Sequence, residues 1–370
     1  MNPPKIILLT HEYPPFRGGA GIYCEEIAYA SIQLGLNLEV WAPKGSLKSP
    51  DKRVSLLPFK GSQSVVSSMF LICESAKRFR NLPQDTIIHL AEPGSLRAFL
   101  RFGWVLRRMP PYFITIHGSE IVKFSKNPLE SFLFRRFLLG AKRIHVMSKF
   151  NKHALLQICP EIETRIFTIP GAPARRILPT GDCKLKKGNR LIILCVGRIH
   201  PRKGQDKLLQ AVMKLPSTLI RKIELRLIGP IICKKFFKKL KRQAKDLDCK
   251  VEFLGDLNDH ELSAHFQNSN LFALVSMPRN ESIEGFGFAY LEASAHGLAI
   301  LAHRFGGVED TVKHEETGIL VDPYSEDALP ESLELLLKDK ELRERLGRNG
   351  KKWANAHTWK KTASLTYLRN

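Results

Sequence analysis

Short apolar runs that stop abruptly constrain this chain more than any other feature. Lys5 to Thr10 is one such run, ended by His11-Glu12-Tyr13-Pro14-Pro15. Leu38 to Ala42, Thr86 to Leu90, Tyr112 to Ile116, Arg143 to Met147 and Arg165 to Ile169 repeat the pattern. Each is too short for a helix and too continuously apolar for a half-exposed strand, so each reads as a strand buried on both faces. Helical periodicity fills the stretches between, as over Ile22 to Leu34. Alternating strand, loop and helix describes a doubly wound parallel α/β sheet, whose ligands gather at the carboxyl ends of the strands.

The pattern breaks once and then restarts. Residues 174 to 190 hold Pro, Gly, Lys and Arg with little periodicity and read as a linker. Strands follow at Arg190 to Val196, Glu224 to Ile228, Val251 to Leu254, Leu271 to Val275, Leu298 to Ala302 and Gly318 to Val321, and helices close the chain from about Glu326 onward. A length of 370 residues fits two ordinary domains. The expected boundaries are a first domain over 1–175, a linker over 176–188, a second domain over 189–355 and a final helical segment over 356–370.

Lys plus Arg number 58 against 36 Asp plus Glu, a net charge of +22. That favours an anionic partner, whether nucleotide, nucleic acid or acidic lipid surface, without choosing among them. The seven cysteines are scattered, with no Cys-x-x-Cys pair, so neither a disulfide framework nor a zinc site is expected. The apolar run near the start, Ile6 to Leu9, is too short for a signal peptide or a membrane span. The expected location is therefore cytoplasmic, with any membrane contact peripheral.

Two stretches carry chemistry. In Glu284-Gly285-Phe286-Gly287-Phe288-Ala289-Tyr290-Leu291-Glu292, two acids flank a glycine loop that leads into a helix. Glycine lets a ligand approach the backbone, and a helix N-terminus favours phosphate. The acids then suit hydroxyls at either end of a ligand, with Glu292 expected in the first helical turn. Earlier, Arg198 and Lys203 stand five residues apart just after a strand, beside Gly197 and Gly204. A guanidinium fork and a point charge there suit a diphosphate. In the first half, His117 ends a strand ahead of Gly118, where α/β enzymes place site residues. The Gly18-Gly19 loop follows the first strand but matches neither a P-loop nor a dinucleotide fingerprint.

Together with Pro14-Pro15, Thr115 to Gly118, Ile169-Pro170-Gly171, Phe253-Leu254-Gly255, Gly306-Gly307 and Thr317 to Pro323, these pieces resemble the retaining GT-B glycosyltransferases of family 4, the glycosyl transferases group 1. The resemblance implies two Rossmann-like domains facing across a cleft, with the C-terminal helix crossing back to the first. It implies a hexosyltransferase that draws on a nucleoside-diphosphate sugar and acts on a lipid-linked or saccharide acceptor, as in cell-envelope polysaccharide synthesis. Arg198 and Lys203 match the diphosphate binders, Glu284 the acid holding the donor sugar, and Glu292 the acid on the ribose. Gly285, Phe286, Gly287, Phe288 and Ala289 match the amides around sugar and phosphate. His117 matches a histidine near the donor sugar, Gly18 and Gly19 a loop on the phosphate side, and Leu254 a residue bordering the base.

No metal and no cofactor are expected on this resemblance, the cations and the helix end stabilising the leaving group. The chain departs from the family where Ala172-Pro173 follow Gly171 in place of an Asn-Gly pair, and where Pro278 to Ile283 is longer and more polar. Basic residues among aromatics in the first domain, such as Lys77-Arg78-Phe79-Arg80, raise the expectation of an anionic membrane surface as a partner. The alternatives are a GT-B scaffold that has lost catalysis and a basic nucleic-acid-binding protein. The intact Arg198, Lys203, Glu284 and Glu292 weigh against the first. For the second, no zinc-finger, RRM or helix-turn-helix pattern is present, so no nucleic acid is expected as a partner.

Overall fold

The computed structural model describes residues 4–15, 18–47, 53–61, 64–179, 190–278 and 283–368. The linker expected over 176–188 lies outside the described residues from 180 onward, and so do residues 279–282 ahead of Glu284. The chain divides into two compact units, one of Met1–Gly171 with Thr358–Asn370 and one of Ala172–His357.

The first unit holds a seven-stranded sheet. Its strands are β1 (Ile6–Leu9), β2 (Leu38–Pro43), β3 (Val54–Leu57), β4 (Ile87–Leu90), β5 (Tyr112–Ile116), β6 (Arg143–Val146) and β7 (Ile166–Thr168). All pairings are parallel, in the order β3-β2-β1-β4-β5-β6-β7. Helices cover both faces, which is why the inner strands are apolar at nearly every position. Strand β3 escapes a reading by apolar runs. It is an edge strand whose Ser55 and Leu56 are only half-buried, so Val-Ser-Leu-Leu carries little pattern. The glycine stretch after β1 is shorter than a loop reading suggests, because Gly19–Gln33 is already helix and Gly18 is its N-cap.

The C-terminal helix Trp359–Tyr367 belongs to this first unit. Trp359 packs edge-on to Tyr23, with ring centres 5.7 Å apart. The Tyr367 hydroxyl lies 2.5 Å from His89 Nδ1, and Thr362 donates to the Pro170 carbonyl at 2.8 Å. Burying a ring of that size stabilises the dock by roughly 2–3 kcal/mol.

His89 on β4 and His145 on β6 make this unit sensitive to acid. Burial is the main force on both rings, pushing His145 down to about 3 and His89 well below its usual value. Folded, they refuse protons that the unfolded chain accepts below about pH 6.5, so stability is full above that pH and falls beneath it. The slope is about 1.4 kcal/mol per pH unit for each histidine, or roughly 3 kcal/mol for the pair at about pH 5.5. We expect the melting temperature to fall steadily from neutral pH to about pH 5.5. His145→Phe should remove one histidine's share of that slope, and an unchanged slope in that variant would refute the account.

The second unit holds β8 (Leu191–Val196), β9 (Ile223–Ile228), β10 (Lys250–Gly255), β11 (Leu271–Leu274), β12 (Ala299–His303) and β13 (Gly318–Val321). They form a parallel sheet in the order β10-β9-β8-β11-β12-β13. The winding direction reverses between β8 and β11, because successive connections leave β8 on one side and return to it on the other. Such a reversal opens a crevice at the strands' carboxyl ends. In the first unit the reversal falls between β1 and β4.

Candidate active site

The crevice beside β8 and β11 is filled by one carboxylate and its partners. Pro201–Lys203 form a single helical turn after β8, and Gly204 begins the helix Gln205–Met213. The Met277 amide donates to the Arg202 carbonyl at 2.8 Å, stitching this turn to the segment that leaves β11. Glu284 lies further along that same connection after β11, and its carbonyl accepts from the Gly307 amide in the loop after β12 at 2.7 Å. Backbone bonds thus hold the connection after β11 against the turns after β8 and β12 before any side chain is considered.

Glu284 Oε2 accepts three hydrogen bonds, from Lys203 Nζ at 2.7 Å, Arg202 Nη1 at 3.0 Å and Ser276 Oγ at 2.9 Å. Glu284 and Arg202 are buried, and the Lys203 side chain is only 13% exposed. Burial alone would push the Glu284 carboxyl up. The charges of Lys203 and Arg202, with the bonds from Lys203 and Ser276, outweigh it and hold the group at about 2. For Lys203 the balance falls the other way. Burial lowers its affinity for the proton, the cations Arg202 and Arg198 add to that, and Glu284 opposes them. Two cations and one carboxylate leave the cluster with net positive charge, the condition a phosphate needs.

Sequence reasoning paired Lys203 with Arg198. The structure adds Arg202, which joins Lys203 on Glu284, while Arg198 is exposed and its charge acts on Lys203. Nothing local distinguishes three cations within six residues; it is Arg202 whose guanidinium reaches the buried Glu284. Ser276 was likewise missed, having read only as the end of a strand.

The loop enters the helix Phe288–Ala295 through Gly287, whose φ of +86° belongs to the left-handed region. A Cβ on Gly287 would lie 2.5 Å from the Tyr290 ring, so only glycine fits. Because the helix begins at Phe288, Glu292 is its fifth residue and buried, which corrects the expectation of a first-turn acid. Gly285, Phe286 and Ala289 lie along this same entry, and Leu254 sits near the end of β10. The Asp-x-Asp at 246–248 caps the exposed end of another helix, with Asp248 on Arg221 at 2.7 Å.

His117, Gly18 and Gly19 belong to the first unit. His117 Nε2 donates to the Ala91 carbonyl at 2.9 Å, and its amide donates to the buried Glu120 carboxylate. The Ala91 carbonyl can only accept, so Nε2 carries a proton and Nδ1 is the ring nitrogen left for another partner. At the reversal of this sheet a ring nitrogen of His11 lies 3.3 Å from Glu92. Burial works against the Glu92 carboxylate, but His11 and the amides of His11 and Gly94 hold it at about 2.

The family description "Glycosyltransferase Family 4" matches residues 17–172, and "Glycosyl transferases group 1" matches residues 183–353. The chain belongs to glycosyltransferase family 4. It is an enzyme of the hexosyl-transferring class. Among its relatives is the GDP-mannose-dependent alpha-(1-6)-phosphatidylinositol monomannoside mannosyltransferase of Mycolicibacterium smegmatis, 27% identical over 94% of this chain and 93% of that one. Among solved structures, sucrose-phosphate synthase from Thermosynechococcus elongatus superposes with a TM-score of 0.77 at 21% identity, over 98% of this chain and 97% of that one. Anabaena HepE in complex with UDP-glucose gives a TM-score of 0.74 at 17% identity, covering 98% of each. The glycosyltransferase therefore has the GT-B architecture, each of its two units built on a Rossmann-like parallel sheet.

Proposed function

We propose that this enzyme transfers mannose from GDP-mannose, with retention and without a metal, to a lipid-linked acceptor. The carrying observation is the Glu284–Lys203–Arg202 cluster at the reversal of the second sheet. Lys203 and Arg198 take the diphosphate, and the amides from Phe286 to Ala289 at the helix entry complete its cradle. As the glycosidic bond breaks, negative charge grows on the leaving phosphate, and these fixed donors stabilise it without reorganising. Glu284 keeps its charge at every physiological pH and accepts from donor-sugar hydroxyls, while Glu292 holds the ribose. His117, on the family resemblance, accepts from a sugar hydroxyl through Nδ1. The acceptor attacks on the face from which the leaving group departs, and a phosphate oxygen takes its proton.

The relatives named as GDP-mannose-dependent enzymes support the choice of donor and of a glycolipid acceptor. The surface of the first unit supports a peripheral membrane position. The residues named there on sequence need one correction, since Phe79 is core. Val65, Val66, Met69 and Phe70 form the exposed stripe, and Trp104 is 81% exposed. Among the described residues no helix is long and apolar enough to cross a membrane.

A panel of nucleotide sugars tests the reading. GDP should raise the melting temperature more than UDP or ADP, with about 2.7 kcal/mol of stabilisation at a hundredfold excess over Kd. GDP-mannose should be consumed equally with and without a chelator, and the product should keep the donor's anomeric configuration. No shift with any nucleotide would sink the proposal. Loss of turnover in chelator restored by magnesium would sink its metal-independent part, and an inverted product its stereochemistry.

A further inference from the structure

The helix Lys234–Lys245 carries seven cations and no acid, all seven of them exposed. At 100° per residue, Lys234, Lys235, Lys238, Lys241, Arg242 and Lys245 fall within an arc of about 120° and run the helix's whole length, about 18 Å. Phe236 and Leu240 are buried on the other side, so the basic stripe faces out. Like charges three and four residues apart repel, as Lys234 with Lys238 and Lys241 with Lys245 do. Lys234 and Lys235 also crowd the positive end of the helix dipole, where Cys233 offers no side-chain cap.

Little nearby relieves this. Among the described residues the helix makes one ion pair, Lys239 with Asp206 at 2.7 Å, and Lys239 lies outside the stripe. An arrangement so unfavourable for an isolated helix is complementary to an extended anionic surface. Immediately before it, Ile231 and Ile232 are 43% and 57% exposed.

We propose that this stripe, with Ile231 and Ile232, docks the second unit on a bilayer rich in anionic lipid. The cations meet the headgroups and the isoleucines enter the boundary of the acyl region. A nucleic acid fits less well. It has no use for exposed isoleucines, and Phe237 lies beneath Lys241, 4.9 Å from it, where it cannot stack on a base. The stripe shares no residue with the Glu284 cluster or with the apolar stripe of the first unit, although Ile231 bridges Ile199 beside Arg198, so the cation variant is the one that reads the surface apart from the donor site.

Vesicle sedimentation of the full chain tests it, using phosphatidylcholine with and without phosphatidylglycerol at about 0.05 M and about 0.3 M salt. The variant K238Q/K241Q/R242Q should bind anionic vesicles about 100-fold less tightly at low salt and lose about half of the salt dependence. Its thermal shift with GDP should match wild type, showing an intact fold and donor site. I231S/I232S should weaken what binding survives at high salt. F70S/W104S, in the first unit, should keep the salt-sensitive part. Equal sedimentation of the triple variant and wild type would overturn the proposal, and so would a wild type that ignores anionic vesicles at low salt. A triple variant that keeps vesicle binding but loses a single-stranded RNA oligomer would assign the stripe to nucleic acid instead.

Discussion

Glu284→Gln is expected to lower kcat/KM for sugar transfer about a thousand-fold while nucleoside diphosphate binding is kept or tightened. The amide preserves the volume and one acceptor oxygen, so Ser276 and one cation keep a partner. The charge is lost, and with it the strong acceptor for donor-sugar hydroxyls. Lys203 and Arg202 then share a buried pocket with no anion. Removing one member of a buried ion pair costs about 3–5 kcal/mol, and the retained acceptor brings this nearer 2 kcal/mol. A bound diphosphate replaces the missing charge, so the thermal shift on adding the nucleotide should be larger in Glu284→Gln than in wild type. Lys203→Ala should behave oppositely, losing transfer and diphosphate binding together and showing a smaller shift. Parallel loss of nucleotide binding in both variants would mean that Glu284 builds the phosphate site and does not serve the sugar.

The frame of both sheets was legible because runs such as Ile6-Ile7-Leu8-Leu9 admit few other readings. A strand at an edge, like β3, has no such signature, since one side of it needs no apolar residue. Residue types at the site were legible too: an acid, a lysine and glycines around a helix entry. Their partners were not. Arg202 reaches Glu284, 82 residues on in sequence, because β8 and β11 are neighbours in the sheet, and Ser276 meets Glu284 where the connection after β11 folds back on itself. The first is long-range and the second depends on how one connection folds back, so no local spacing encodes either. Glu292 was placed a turn too early for a local reason, because the two glycines blurred where the helix begins. Phe79 and Phe70 share a helix, and only the packing of its neighbours decides that Phe79 is core while Phe70 meets solvent.

The position where that long-range convergence is most exposed to test is Gly204, and Gly204→Ala should be severely destabilising. Its φ of +67° costs an alanine about 1–2 kcal/mol. The added Cβ would also lie 1.9 Å from the Val275 carbonyl oxygen, a backbone atom that cannot rotate away. Relief requires the turn after β8 to back off from the segment leaving β11. That movement breaks the Met277–Arg202 backbone bond and draws Arg202 and Lys203 away from Glu284, so transfer should fall together with stability. We expect a loss on the order of 4 kcal/mol, at the upper end for a single substitution and equivalent to roughly 8–16 °C in the second unit's melting transition.

Gly255 supplies the control. Its φ is +71°, nearly that of Gly204, yet a Cβ there meets nothing within 4 Å. Gly255→Ala should therefore show the conformational cost alone, about 1–2 kcal/mol, with transfer nearly unchanged. The difference between the two variants reads the close approach of the turn to β11. Equal melting temperatures would mean that this approach, and the convergence of Arg202, Lys203 and Glu284 that depends on it, is looser than the backbone bonds indicate.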